Sequence, residues 1–435
     1  MPRDVRRKGN EPMSGKPIMR GARPEDFDEV TRAIAIAFGD AGSSWPTDDA
    51  RMDPEHRPEL HRLGEVDGKI VSAMRIVCQD VRYGHAILKH TGVADVGTPP
   101  EHRKRGYSTM VLKDAIAHME RLGSHFSMLY TGIQPFYERL GWAILPMREE
   151  RFNISGATSQ ASPRWNGEVV QFDASRHPGA YRELYDHFNA TRTATTVRGD
   201  RYWELRLTGS KRHDDVLVAV ANDAVQASAI FEVHTKRSTL DVPEYAWRTG
   251  AEDAFEALVA ELMRRGQEAG VETLACDFGS DSAGRAVMSR LAEPAKVKEW
   301  TSLMFRIIDL AGLLQAAVPE LSKRAAKAPR GAAGARLRLS WQTQSASGRD
   351  ASGRPAGTVR GAVLALDGGK LKVRGGSEDA GGQLDLDSAE MAQLIFGRGT
   401  AAVQDHLTTV PERERALVEA LFPGERLVVW GTDSF

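Results

Sequence analysis

Cysteine is nearly missing from this chain, with Cys78 and Cys276 the only two among 435 residues. That scarcity argues against a disulfide framework or a cysteine-based zinc site and suits a reduced, cytoplasmic setting. Neither thiol has a nearby histidine that would mark a nucleophile, so each reads as a small buried apolar residue. Long apolar runs are lacking too: no stretch of about 18 apolar residues is present, so nothing is expected to span a membrane. Charge of one sign is also lacking. Lys and Arg number 58 against 59 Asp and Glu, so no global field gathers nucleic acid or an acidic membrane. The opening MPRDVRRKGNEPMSGKP is basic but has no apolar centre. It is therefore not a secretory signal, and residues 1–16 are expected to form a disordered tail.

What the chain does have is a local concentration of positive charge. In TPPEHRKRGYS, His102, Arg103, Lys104 and Arg105 occupy consecutive positions between two prolines and Gly106. Upstream, HTGVADV is β-favouring. Downstream, Val111, Leu112, Ala115, Ile116, Met119 and Leu122 recur at helical spacing, with Lys113, Asp114, Glu120 and Arg121 on the other face. The order strand, basic loop, helix puts unpaired N–H groups and a helix dipole beside cations, which suits a phosphate or pyrophosphate. Gly106 would let the backbone approach such an anion closely. A solvated surface turn is the competing reading of any such charge run. Neither G-x-x-x-x-G-K-[ST] nor G-x-G-x-x-G is present, so the common nucleotide loops do not apply.

The pattern R-x-x-G-x-S, Arg103 to Ser108, resembles the acetyl-CoA loop [RQ]-x-x-G-x-[GA] of the GNAT acetyltransferases, with Ser108 as the departure. Taken with LYTGIQPFYERLGW one helix further on, GVADVGTPPEHRKRGYS resembles the Enhanced intracellular survival (Eis) family of acetyltransferases. At this length roughly three domains are expected. The resemblance implies an α/β chain of mixed sheets: a catalytic GNAT domain over 17–160, a second GNAT-like domain over 161–305 and a sterol-carrier-protein-like α+β domain over 306–435. It also implies a homo-hexamer.

The local signals agree with mixed α/β organisation. Pro24 with Glu25 and Asp26 reads as a helix start, Asp67-Gly68 as a hairpin turn, and SGATSQASP as a linker. The second section runs helix, strands, the long amphipathic helix AEDAFEALVAELMRRGQEAG, then the strand ETLACDF, without a basic loop. In TTVRGDRYWELRL, Tyr202 and Trp203 read as helix packing. Beyond AAKAPRGAAGAR, read as a mobile link, come a hairpin turning at Asp367-Gly368 and a helix capped by Asp387 or Ser388. Leu427 to Trp430 reads as a buried strand, with Gly431 redirecting the last four residues.

Acetyl transfer to an amine needs a held thioester, a neutral amine and a proton for the departing thiolate. The resemblance implies acetyl-CoA as co-substrate, its arm on the backbone of Val96, Gly97 and Thr98. Its pyrophosphate would lie on Lys104, Arg105, Gly106, Tyr107, Ser108 and Thr109, with Arg103 just before. A further backbone contact maps to Gly132 and Ile133. The resemblance makes Tyr137 the general acid, although Phe136, Tyr137 and Leu140 also read as one packed helix face. It makes the carboxylate of Phe435 the base, with Asp433 able to share the task or to attract cationic amines. No metal is expected. The acceptor would be a small-molecule or peptide amine: an aminoglycoside, a polyamine or a lysine side chain. A second function class stays open, a non-catalytic scaffold whose last domain holds an apolar ligand.

Overall fold

The structure, a computed structural model, describes residues 15–156, 165–177, 179–207, 215–278, 281–342, 359–376, 380–424 and 427–433. Most of the predicted tail, the centre of the linker and Phe435 lie outside the described residues. The chain divides into two compact units, Met1–Val77 with Val93–Arg121, and Cys78–Gly92 with Leu122–Phe435.

The first unit contains β1 (Ile18–Gly21), α1 (Phe27–Ala37), α2 (Trp45–Met52), β2 (His61–Val66) and the start of β3 (Lys69–Tyr83). It also contains the end of β4 (Ala86–Gly97) and all of α3 (Tyr107–Arg121). β2 is antiparallel to both β1 and β3, and the β2–β3 hairpin closes at Val66↔Lys69. Asp67 and Gly68 have φ of 49° and 74°, the left-handed pair that a two-residue hairpin requires. Pro24 opens a single 3₁₀ turn before α1. The Asp26 carboxylate accepts there from the Arg23 amide at 2.7 Å and from Arg20 at 2.6 Å. Val30 and Ile34 of α1 pack on Leu63, Ile70 and Ala73, while Tyr107 seats the start of α3 against Val66 and Val71.

In the second unit the next elements are β5 (Phe126–Tyr130), α4 (Gln134–Glu138), β6 (Ala143–Ile144), β7 (Met147–Asn153), β8 (Glu168–Gln171), α5 (Ala180–Asn189), β9 (Thr196–Val197) and α6 (Asp200–Leu207). They are followed by β10 (Val216–Ala221), β11 (Ala224–His234), β12 (Thr239–Trp247), α7 (Glu252–Glu268), β13 (Thr273–Cys276), α8 (Ser282–Leu291), β14 (Glu293–Trp300) and β15 (Leu303–Ile307). β5 runs parallel to β4 from His90↔Phe126 to Gly92↔Met128. β15 lies between β5 and β6, antiparallel to both. A second mixed sheet has the order β14-β7-β13-β12-β11-β10-β8, with β12 and β13 parallel. The chain thus sends β7 into the second sheet and returns β15 beside β5, so neither layer closes without a strand from the other segment.

The remaining elements are α9 (Leu310–Ala316), α10 (Val318–Ala325), β16 (Arg336–Gln342), β17 (Val359–Asp367), β18 (Lys370–Gly375), β19 (Gly382–Leu386), α11 (Ser388–Phe396), α12 (Gln404–Leu407) and α13 (Glu412–Leu421). The four strands form a mixed sheet, β18-β17-β16-β19. Its core is continuous with β5 and β15, through Phe126, Phe305 and Phe396. A separate core packs Tyr245 and Trp247 of β12 on Phe255 of α7. Among the described residues no helix is long and apolar enough to cross a membrane.

Several local expectations change on folding. The Ala/Gly-rich link is a 3₁₀ turn at Arg330–Ala332, with Ala332 and Ala335 fully buried, because small side chains let this segment sit inside the core. The Asp367 hairpin turns on Gly368 and Gly369, φ 55° and 75°, with Asp367 still paired to Lys370. Asp387, rather than Ser388, caps α11, in a reciprocal box with Glu390. Cys276 is buried, but Cys78 is only half-buried. Leu427 to Trp430 is not a strand: Val428 donates one backbone bond, to Thr193 at 2.9 Å, and no ladder forms.

Candidate active site

The first unit carries the end of β4 and the basic loop. Gly97 is needed for room, since a Cβ there would fall 2.9 Å from the Ala37 methyl. Ser72, fully buried on β3, donates to the Gly97 carbonyl at 2.9 Å, and the Thr98 hydroxyl lies 2.9 Å from the Ser72 hydroxyl. A 3₁₀ turn, Pro100–His102, follows. Arg103 then folds back, its Nε donating to the Thr98 carbonyl at 3.0 Å and its Nη2 to the Ala37 carbonyl at 2.7 Å. Most of its fork is therefore engaged in holding the loop, a structural duty that the charge pattern did not disclose.

Lys104 and Gly106 adopt φ of 62° and 81°, so the backbone curls immediately before α3. An added Cβ at Gly106 would meet nothing within 4 Å. The glycine is thus demanded by conformation and by the open space in front of it, where a ligand can approach. Lys104, Arg105 and Gly106 are exposed, Ser108 and Thr109 half-buried, and Tyr107 buried. Burial pushes His102 below its ordinary 6.5, so at neutral pH it adds no charge and the loop's cations are Arg103, Lys104 and Arg105. The amides of the first turn of a fifteen-residue helix face the same side.

The second unit carries the segment after β5. Gly132 and Ile133 are exposed, but the Ile133 amide already donates to Thr131 Oγ1 at 3.0 Å. Tyr137 sits in the short α4 with its ring buried, edge-on to Trp142 at 6.1 Å. Burial raises its phenol to about 12, so the proton is retained at neutral pH. Its hydroxyl forms no hydrogen bond among the described residues. Packing and chemistry therefore coexist in this side chain.

The tail is fixed by groups that local sequence did not single out. The Trp430 indole donates to Asn189 at 3.0 Å. Asp433 is buried, receiving Arg198 Nε at 3.0 Å, the Tyr185 hydroxyl at 3.3 Å and the Tyr202 hydroxyl. Arg198 also forks onto Glu244 at 3.2 and 2.5 Å, and the Tyr181 hydroxyl donates to Glu244 at 2.7 Å. Asp433 thus serves as an internal anchor, and the expectation that it attracts amines from solvent is corrected. Tyr202 contributes a hydrogen bond as well as packing. Arg198 was present in TTVRGDRYWELRL, but nothing local distinguished it from a surface arginine.

Beside this tail lies a cavity of about 530 Å³, walled by Tyr130, Glu149, Asp241, Asp277, Trp300 and Trp430 among others, with Arg148 as its one basic lining residue among those described. Carboxylates and aromatic faces are the surroundings a cationic amine favours. Burial raises the Asp241 carboxyl, against the lowering effect of His234 and Arg237. No cluster suited to a metal ion occurs among the described residues.

Residues 19–145 match the Acetyltransferase (GNAT) domain. That stretch, under a third of the chain, is similar to GNAT acetyltransferase domains. Acyl transfer is the chemistry of such domains, and acetyl-CoA is their co-substrate. An uncharacterized N-acetyltransferase of Streptomyces avermitilis is 26% identical over 161 residues, which cover 35% of this chain and 38% of that protein. The sequence match therefore spans well under half of that relative. Two solved structures share the fold over nearly the whole chain. A GCN5-related N-acetyltransferase from Kribbella flavida has a TM-score of 0.68 at 17% identity, covering 97% of this chain and 99% of its own. Eis1 from Mycobacterium abscessus has a TM-score of 0.62 at 14% identity, covering 97% and 100%. The mixed α/β architecture of this chain is thus shared well beyond the matched stretch.

Proposed function

We propose that the protein is an acetyl-CoA-dependent N-acetyltransferase of the Eis family, acting on amines such as aminoglycosides, polyamines or lysine side chains. The observation that carries this reading is the exposed cationic turn, with Lys104 and Gly106 left-handed, opening α3 inside the GNAT domain. Lys104, Arg105 and the first amides of α3 hold the pyrophosphate, while the backbone of Val96 to Thr98 holds the peptide-like arm. Gly132 offers a further amide. Acetyl-CoA supplies the thioester. The amine nitrogen bonds to the acetyl carbon, the carbon–sulfur bond breaks, and Tyr137 donates its hydrogen bond to the departing thiolate. A base accepts the proton that the amine gives up, and the resemblance to the Eis family assigns that part to the carboxylate of Phe435. The acidic, aromatic cavity beside the tail gathers the acceptor. In the same reading residues 306–435 form the sterol-carrier-like domain, a role supported by the four-stranded mixed sheet with its helices.

Replacing Lys104 and Arg105 with Ala should weaken acetyl-CoA binding by about 1.5–3 kcal/mol for each lost charge-assisted contact. Calorimetry on wild type and variant checks this, and equal affinities would remove the phosphate role. Thiol release with a panel of polyamines and aminoglycosides tests the acceptor class. Adding one glycine after Phe435 moves the carboxylate by about 3.5 Å and should reduce turnover about 10²-fold with acetyl-CoA still bound. Unaltered turnover would return the search for the base to side chains.

A further inference from the structure

The segment just before the proposed arm site contains a conformational anomaly. Asp95 lies inside β4 yet has φ of 58°, and it is not a glycine. A left-handed residue within a strand turns the following peptides, as in a β-bulge, and although aspartate tolerates this region better than most residues with a Cβ, inside a strand it adopts it chiefly where its surroundings favour it. Here they do. Arg75 Nε donates to Asp95 Oδ2 at 2.8 Å, and Arg75 Nη1 donates to Asp53 Oδ2 at 3.2 Å. The three side chains are 4, 8 and 4% exposed for Arg75, Asp95 and Asp53. Asp53 is itself fixed, its Oδ1 accepting the Glu55 amide at 3.0 Å. Three residues before Arg75 on β3, Ser72 holds the Gly97 carbonyl. Side chains anchored on β3 therefore set the direction of β4 on both sides of Val96.

We propose that Asp95 is a positioning residue for the acetyl-CoA arm. Arg75, braced by Asp53, locks Asp95 in the left-handed conformation and thereby aims the polar backbone groups of Val96 to Thr98 at the arm. The proposal rests on the acetyltransferase reading, because it needs a ligand on that backbone. Its requirement is conformational. Glycine takes positive φ freely and asparagine tolerates it, whereas alanine resists it.

The test compares acetyl-CoA with 3′-phosphoadenosine 5′-diphosphate, which has the pyrophosphate but no arm, by calorimetry on the full chain. Wild type should bind both. Asp95→Ala should bind acetyl-CoA about tenfold more weakly, the effect of disfavouring a left-handed residue, and bind the nucleotide unchanged. Asp95→Gly should recover most of the acetyl-CoA affinity even though its melting temperature falls with the lost ion pair. Arg75→Lys, which cannot bridge two carboxylates with a planar fork, should resemble Asp95→Ala. Equal weakening of both ligands, or a folded Asp95→Ala with wild-type acetyl-CoA affinity, overturns the positioning role. So does an Asp95→Gly as weak as Asp95→Ala, since charge rather than backbone direction would then be at stake. If wild type binds neither ligand, the acetyltransferase reading falls and takes this proposal with it. Nucleotide binding without any gain from the arm sinks the positioning role alone.

Discussion

Tyr137→Phe is expected to lower turnover by about 10²–10⁴-fold while acetyl-CoA binding stays intact. The substitution keeps the buried ring and its edge contact with Trp142 and removes only the hydroxyl. Burial holds the phenol at about 12, well above the thiol range of about 8.5. Full proton transfer to a free thiolate is therefore uphill. The group works best as a hydrogen-bond donor while negative charge grows on sulfur in the transition state. The pH profile follows with a definite sign. Because its proton is lost only near pH 12, Tyr137 should produce no falling limb in turnover below about pH 11, and any limb near pH 10 belongs to another group. Steady-state rates with a saturating amine, together with acetyl-CoA binding, check both points. A Phe variant at wild-type turnover would leave Tyr137 with packing alone.

What was legible in the sequence was what is decided locally. The basic loop could be seen because charge, glycine and the period of α3 lie within a couple of dozen residues of one another. The start of α11 could be narrowed to Asp387 or Ser388, and the choice of Asp387 is made by its reciprocal bond with Glu390. The return of β15 beside β5 was hidden, because Leu303 to Ile307 is apolar in a way that suits many buried strands and carries no mark of its partner. The same ambiguity made Leu427 to Trp430 resemble a strand when it is a buried tail held by side chains. Arg103 lies in the loop, but its two carbonyl partners depend on where α1 ends in space. Asp95 could not be found at all, since its left-handed φ comes from Arg75, which was itself an ordinary residue of an apolar strand.

The largest gap between sequence and structure, the Arg198 cluster, also carries the largest expected effect on stability. Arg198 and Asp433 stand 235 residues apart, and the carboxylates of Asp433 and Glu244 are nearly as inaccessible as the guanidinium between them. The Arg198 carbon stacks 3.8 Å from the Tyr185 ring, which removes another path for water. Arg198→Met preserves much of the volume but leaves two buried carboxylates without their cation, a loss of about 3–5 kcal/mol. On the scale of a domain of about 150–250 residues that corresponds to a fall in melting temperature of roughly 6–20 °C. The origin of the loss can be separated from simple packing. Combining Arg198→Met with Glu244→Gln and Asp433→Asn removes the uncompensated charges, so the triple variant should be more stable than the single one. If the triple variant is the less stable, the cluster acts through its hydrogen bonds rather than through charge balance. Because Phe435 follows Asp433 by two residues, the single variant should also lower turnover if the terminal carboxylate is the base. Acetyl-CoA affinity should hold at temperatures where the protein remains folded, since the basic loop has no member in this cluster. Loss of cofactor binding in parallel with turnover would instead mean that the damage is general, and the tail would lose its special part in the chemistry.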